Sequence, residues 1–246
     1  MIKDIYSNPE LYDLAHWWKT NDIEFIADSA DTYGSPVLEM AAGTGRLAVP
    51  ILKRGYTYTG IELSPDFVKC AQKKLKSFQD QANVLKGDIR NFDLGKKFQF
   101  IFIGFNSIFH LLTNGDIESF LKCVRAHLAD SGTFLIDTFI PDPFFLFRDK
   151  QKYYVMEFDY PNGDHCIVSE TNDYDNETQI NHIHWYFNTD GKDKPDEYRF
   201  DMHMIFPDTM DRLLSEAGFV IKEKYGDYDK TPFGPESNLQ IYLCGK

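Results

Sequence analysis

Val37-Leu38-Glu39-Met40-Ala41-Ala42-Gly43-Thr44-Gly45-Arg46-Leu47, followed by Tyr58-Thr59-Gly60-Ile61-Glu62-Leu63-Ser64-Pro65, decides how this chain reads. The first stretch is a short apolar strand running into a glycine turn that opens a helix. The second is another strand, ending in a carboxylate. Glycine is needed where a backbone turns sharply and a ligand approaches without a Cβ in the way. An acid ending the next parallel strand accepts hydrogen bonds from two ribose hydroxyls. Together they are half of a nucleoside-binding site.

Two ligands compete for the turn. Gly43-Thr44-Gly45-Arg46-Leu47-Ala48 fits the dinucleotide pattern G-x-G-x-x-A, with Glu62 about twenty residues on as a ribose contact. A pyrophosphate, however, wants backbone N–H groups and a helix N-terminus with no anion beside them, and Glu39 would face the phosphates from the strand end. A carboxylate there suits a cation, such as the sulfonium and ammonium of S-adenosylmethionine. Further on, the run from Asn83 to Ile89 reads as a third strand ending at Asp88. Ligands lie across the carboxyl ends of such strands, so Glu39, Glu62 and Asp88 are expected along one crevice.

On these residues the chain resembles a known family. The run from Glu39 to Arg46, the pair Ile61-Glu62, the segment Gly87-Asp88-Ile89-Arg90-Asn91-Phe92 and the strand from Phe98 to Ile103 followed by Gly104-Phe105-Asn106-Ser107 look like the ordered motifs of class I S-adenosylmethionine-dependent methyltransferases. The chain is most similar there to small-molecule enzymes, including N,N-dimethyltransferases of nucleotide-linked amino sugars, and shares an N-terminal Leu11-Tyr12-Asp13. The likeness covers roughly residues 8–139 and 207–246. It is specific for the cofactor, S-adenosyl-L-methionine, and not for the acceptor.

The resemblance implies a doubly wound α/β fold: a seven-stranded, mostly parallel, Rossmann-like sheet whose last hairpin makes one strand antiparallel. Strand–helix alternation independently calls for a parallel sheet with helices on both faces. Helices are expected from Gly45 to Arg54, from Pro65 to Ser77 capped by Ser64, from Gly115 to Ala129 capped by Asn114 and stopped by Gly132, and from Asp208 to Ala217. Thr133 to Phe139 reads as the fifth strand. Phe219 to Lys224 and Leu239 to Cys244 finish the sheet.

Residues 1–34 are expected to form a helical cap, 35–139 with 207–246 the cofactor-binding core, and 140–206 an insertion. In the insertion the hydrophobic period falls from 3.6 to 2: Ile183, Trp185 and Phe187 alternate with His182, His184 and Tyr186, as Tyr198, Phe200 and Met202 do with Arg199, Asp201 and His203. This is an antiparallel β meander, expected to cover the active site or to form a homodimer. From Glu157 to Asp201 it carries twelve acids and three bases, a solubilising face or a field for a cationic amine.

The candidate site follows. Glu39, Ala41, Gly43, Gly45, Glu62, Leu63, Asp88 and Ile89 are expected to bind the cofactor. Arg46 is expected to pair with its methionine carboxylate, the alternative being an exposed helix arginine. By the resemblance, Phe105 and Asn106 face the donor methyl, and Tyr12 lies near donor and acceptor. His110 is the candidate base, the alternative being a hydrogen-bonded structural histidine. Trp17 and Phe139 are candidate acceptor contacts, and His16, Trp17 and Trp18 are expected either to wall the acceptor pocket or simply to pack as helix aromatics. Methyl transfer needs chiefly orientation and water exclusion, so no catalytic triad is called for. A base matters only if the acceptor arrives protonated or is a hydroxyl. An amine acceptor is the leading expectation, with O-methylation or a non-catalytic cofactor-binding module as alternatives and a nicotinamide oxidoreductase behind them.

Composition narrows the partners. A chain of 246 residues with 43% apolar side chains buries a sizeable core. A formal net charge of −12 disfavours a nucleic-acid partner, which needs clustered Lys and Arg. Cys70, Cys123, Cys166 and Cys244 are dispersed, with no C-x-x-C pair, and suggest neither zinc nor a disulfide framework. No apolar run reaches the ~18 residues of a membrane span, and the N-terminus lacks a signal-peptide core. A cytoplasmic protein acting on a small-molecule acceptor is the expectation.

Overall fold

A computed structural model describes residues 4–246, so the first three residues of the N-terminal reading lie outside the described residues. In chain order the elements are α1 (Pro9–Ala15), α2 (Ile23–Tyr33), β1 (Val37–Met40), α3 (Ala48–Lys53), β2 (Tyr58–Glu62), α4 (Pro65–Lys74), β3 (Ala82–Lys86), β4 (Phe98–Ile103), α5 (Asn114–His127), β5 (Leu128–Phe139), α6 (Pro143–Leu146), β6 (Tyr153–Asp159), β7 (His165–Asp175), β8 (Ile180–Thr189), β9 (Asp196–His203), α7 (Pro207–Glu216), β10 (Val220–Tyr225) and β11 (Leu239–Gly245).

The chain divides into two units. One comprises Thr20–Ile140 and Ile205–Lys246, the other the described residues up to Lys19 with Pro141–Met204. Residues 1–34, expected as a single helical cap, are therefore split: α1 belongs with the insertion and α2 with the large sheet.

The larger unit is a seven-stranded sheet in the order β10-β11-β5-β4-β1-β2-β3. β1 to β5 run parallel, and β11 lies antiparallel between β5 and β10. Strand order reverses between β1 and β4, and that switch point is where a sheet of this kind opens a crevice at its carboxyl ends. Side chains alternate between faces, so Val37, Phe100, Phe102 and Leu135 share a core with Phe25 and Ile26 of α2, Ile51 of α3 and Val68 of α4. On the other face Phe134 of β5 meets Phe120 of α5 edge-on at 6.0 Å.

Local signals place most helix starts. Ser64 Oγ accepts from Phe67 N at the head of α4. For α5 the cap is Thr113, whose hydroxyl accepts from Asp116 N, and not Asn114, because a helix begins after the residue that can stay extended. The glycine helix begins later than expected, at Ala48, since 43–47 are spent on the turn. β5 starts at Leu128, directly off α5, instead of at Thr133.

The smaller unit holds the antiparallel meander β6-β7-β8-β9 with α1 and α6. The period-2 pattern reports its buried face: Val168, Ile183, Trp185, Phe187, Tyr198 and Met202 point inward. Phe187 meets Tyr198 at 4.8 Å and Trp185 meets Phe200 at 5.0 Å, both edge-on. Glu170, also on this face, is neutralised by Arg148 and accepts a 2.6 Å hydrogen bond from the Trp185 indole.

Candidate active site

The glycine turn is built by backbone geometry that few residues accept. Ala41, Gly43 and Gly45 all have positive φ, at 55°, 56° and 80°. Gly43 N–H donates to Glu62 Oε2 at 2.9 Å, and Ser64 N–H donates to Glu62 Oε1 at 2.8 Å. The Glu62 carboxylate thus ties the turn after β1 to the end of β2, with backbone donors from Gly43, Ser64 and Leu63 around it. Burial pushes this carboxyl upward while the backbone donors pull it back. Leu63, the next residue, is exposed.

Glu39 is buried beside it, on the helix-covered face of β1. Tyr58, on the neighbouring strand, donates its hydroxyl to Glu39 Oε2 at 2.5 Å. Gly60 stands directly across from Glu39 in the β1–β2 register. A Cβ on Gly60 would lie 2.7 Å from Ala42 Cβ and 2.9 Å from the Tyr58 hydroxyl oxygen. Glycine at 60 is therefore what lets the turn close down and the phenol reach the acid.

Burial pushes the Glu39 carboxyl up to about 8, outweighing the Tyr58 hydrogen bond and the field of Arg46 that lower it. The sequence argument treated Glu39 as a standing anion. In the fold it holds its proton near neutral pH, because desolvation is the larger effect.

Arg46 is not a helix-surface arginine. It lies in the turn before α3 and makes a bidentate pair with Asp22, at 2.7 Å on each arm, Asp22 being fully buried. Its guanidinium also lies 5.6 Å from the centroid of the Phe105 ring. Sequence reasoning missed Asp22, which precedes α2 and reads locally as a helix cap. Its side chain makes no cap hydrogen bond and goes to Arg46 instead.

After β4 the backbone makes a turn in which two consecutive non-glycine residues, Phe105 and Asn106, are left-handed, with φ of 50° and 61°. Asn106 Oδ1 accepts from Phe139 N–H at 2.7 Å, which joins the turn to the end of β5. Phe139 also packs edge-on against Phe109 at 5.0 Å. His110 ends the following 3-10 turn, Ser107–His110, and is exposed. Asp137, read from the sequence only as part of the fifth strand, and Tyr228, to which the sequence reading gave no role, hydrogen-bond at this turn. Asp137 is buried and accepts from Phe105 N–H at 3.2 Å and from the Tyr228 hydroxyl at 2.9 Å on each oxygen.

Asp88 stands apart from the other two acids. It lies two residues past β3, and Arg90 holds its carboxylate through three side-chain hydrogen bonds and its own backbone N–H. These contacts pull its pKa below the usual carboxylate range. Arg90 in turn reaches Asp116 of α5 at 2.7 Å. Ile89, between them, is half-buried.

Tyr12 and Trp17 fall in the smaller unit. There Tyr12 stacks on His16 at 4.1 Å, and the Trp17 indole donates to the Glu157 carbonyl at 3.2 Å. Among the described residues no group of three or more His, Cys, Asp or Glu could hold a metal, and no helix is long and apolar enough to cross a membrane.

Comparison with known proteins supplies the family context for this geometry. A family described as "Methyltransferase domain" matches residues 37–132. The chain is 30% identical over 137 residues to a dTDP-3-amino-3,6-dideoxy-alpha-D-glucopyranose N,N-dimethyltransferase of Streptomyces fradiae, a match covering 52% of this chain and 51% of that one. It is 29% identical to a dTDP-3-amino-3,4,6-trideoxy-alpha-D-glucopyranose N,N-dimethyltransferase of Streptomyces venezuelae, covering 48% of each. The chain thus spans about half the length of these curated relatives. Among solved structures it superposes on the CcbJ methyltransferase from Streptomyces caelestis with a TM-score of 0.82 at 19% identity, covering 98% of both chains. The glycine turn with its two buried acids and the switch point of the sheet lie within the stretch that matches the methyltransferase-domain family, residues 37–132, and the chain shares its fold with the CcbJ methyltransferase.

Proposed function

We propose that this protein transfers a methyl group from S-adenosylmethionine to an amine nitrogen of a small polar metabolite, with an amino sugar as the acceptor class. The observation that carries the donor half is the pair Glu39 and Glu62, buried at adjacent strand ends around a glycine turn. Both residues suit the donor chemically. The Glu62 carboxylate, held by backbone N–H groups, still keeps lone-pair capacity for a ribose hydroxyl. Glu39 is a buried acid whose nearby guanidinium, Arg46, is committed to Asp22, so a cationic ligand compensates it.

The space also fits. A Cβ on Gly43 would have nothing within 4 Å, which leaves an open floor beside Glu62. Ala41 and Gly45, both at positive φ, are assigned to that floor, and exposed Leu63 is assigned to the purine. Asp88 and Ile89 are assigned to the wall on the β3 side.

When bound, S-adenosylmethionine supplies an electrophilic methyl group on a cationic sulfur. The chain's own residues then bind, orient and exclude water. Phe105, Asn106 and Phe139 are assigned to the wall beside the reacting centre, and Arg46 to holding Phe105 in place. His110, exposed on its turn, is assigned to taking the proton that the acceptor amine sheds. Tyr12 and Trp17 are assigned to acceptor recognition on the family resemblance alone.

The amine half is supported by the two sugar N,N-dimethyltransferases to which the chain is similar and by the twelve acids and three bases from Glu157 to Asp201, a field that attracts a cationic amine. The test is two-part. S-adenosylhomocysteine should bind by calorimetry and NAD should not; the reverse result removes the donor. Incubation with S-adenosylmethionine and matched amino and hydroxy sugars should give methylated products, by mass spectrometry, from the amino sugars. Turnover confined to the hydroxy sugars removes the amine.

A further inference from the structure

We propose that Asp137 and Tyr228 are positioning residues of the donor site, holding the Phe105–Asn106 turn in the left-handed form that walls the switch point. The inference rests on the donor reading above and extends it to two residues outside the motifs.

Two adjacent non-glycine residues in the left-handed region are costly, and such strain persists only where the surroundings over-determine it. Here the restraints converge from β5. Phe105 N–H donates to Asp137 Oδ2, Asn106 N–H donates to the Asp137 carbonyl at 3.1 Å, and Phe139 N–H donates to Asn106 Oδ1. One residue, Asp137, thus grips both strained positions, by side chain and by backbone. The Phe105 ring is restrained from its other side by the Arg46 guanidinium, itself locked on Asp22.

A carboxylate buried as deeply as Asp137 needs donors of its own. Tyr228 meets both its oxygens at 2.9 Å, from the connection between β10 and β11, 91 residues away in sequence. That connection is shaped to deliver the hydroxyl. Gly226 N–H closes on the Thr231 carbonyl at 2.8 Å, a bridge joins Tyr225 to Pro232, and the Tyr228 ring leans on Phe25 of α2 at 5.6 Å. Burial and the Asp137 charge push the Tyr228 phenol upward, which favours the protonated hydroxyl that donates to Asp137. Loss of its hydroxyl takes from Asp137 the donor that meets both its oxygens, which loosens its hold on the turn at 105–106.

The test compares Tyr228→Phe with Phe120→Leu, a core substitution against Phe134 on the other face of the sheet that leaves the hydroxyl–carboxylate contact untouched. Tyr228→Phe should weaken S-adenosylhomocysteine binding about tenfold, the scale of one hydrogen bond to a charged group, and speed amide exchange of the 104–107 segment in the free protein. Phe120→Leu should lower Tm with the dissociation constant unchanged. In the wild type, S-adenosylhomocysteine should slow exchange at 104–107 and at 226–231 together, a measurement that stands even if Tyr228→Phe does not fold. Protection of 104–107 without 226–231, or a Tyr228→Phe protein with wild-type affinity and exchange, overturns the proposal. A wild type that binds no S-adenosylhomocysteine overturns the donor reading instead, and the exchange comparison in the free proteins still decides the positioning role.

Discussion

The hydroxyl of Tyr58 donates to Glu39 Oε2 at 2.5 Å across adjacent strands, and neither side chain reaches solvent. The pair shares one proton-rich site: burial drives the Glu39 carboxyl up to about 8 and the Tyr58 phenol higher still. This relationship, not the bare charge of Glu39, sets how the site responds to a cation.

Stability should therefore fall with pH on account of Glu39. Unfolded, it titrates near 4.5; folded, near 8. Between those values the native state holds the extra proton, so raising the pH favours unfolding, on the order of several kcal/mol across the window. Glu39→Gln should flatten that slope and exceed the wild type in urea midpoint at pH 8. Parallel slopes for the two proteins would show that Glu39 is ionised throughout.

Binding should run the opposite way. A cationic ligand requires ionised Glu39, so S-adenosylmethionine affinity should rise with pH and level off near 8, with proton release below it. Calorimetry in two buffers of different ionisation enthalpy measures that proton. Equal apparent enthalpies at pH 6.5 would sink the linkage.

Glu62→Ala removes a carboxylate that braces Gly43 and Ser64 and that is proposed to hold the ribose. The expected loss is roughly 1.5 to 3 kcal/mol of S-adenosylhomocysteine affinity, the range for hydrogen bonds to a charged group. An unchanged dissociation constant in a folded variant would put the ribose elsewhere.

Gly60→Ala should destabilise by about 1 to 3 kcal/mol, the usual cost of overpacking, because its Cβ meets Ala42 Cβ at 2.7 Å. The double variant Gly60→Ala/Ala42→Gly removes that clash. Chemical denaturation should find the pair less damaging than the sum of its parts, and strict additivity would refute the contact.

His110 lies exposed at the end of its turn, a position suited to assisting proton loss and not to an obligatory buried base. His110→Ala should keep measurable turnover, falling by about 10- to 100-fold, at or below the lower end of general-base contributions. Complete inactivity in a folded variant that binds S-adenosylhomocysteine would instead favour a hydroxyl acceptor.

What the sequence determined by itself is what short-range physics encodes. Glycines mark the turn after β1, alternation of strand and helix implies the parallel sheet, period-2 patterning marks the meander, and Glu39 and Glu62 fall at strand ends by counting along the chain. Element edges were less legible. Thr113 and Asn114 are both good caps, and only packing of α5 chooses between them. The tertiary structure alone decided the partners: Tyr58 for Glu39, Asp22 for Arg46, Tyr228 for Asp137 and Arg90 for Asp88. The first three pairs join residues 19, 24 and 91 positions apart, and which donor meets which acid depends on strand register and on how deeply the fold buries each one. Burial also settled the protonation of Glu39. A residue type states what charge a side chain can carry, but the solvent removed around it determines whether it carries that charge.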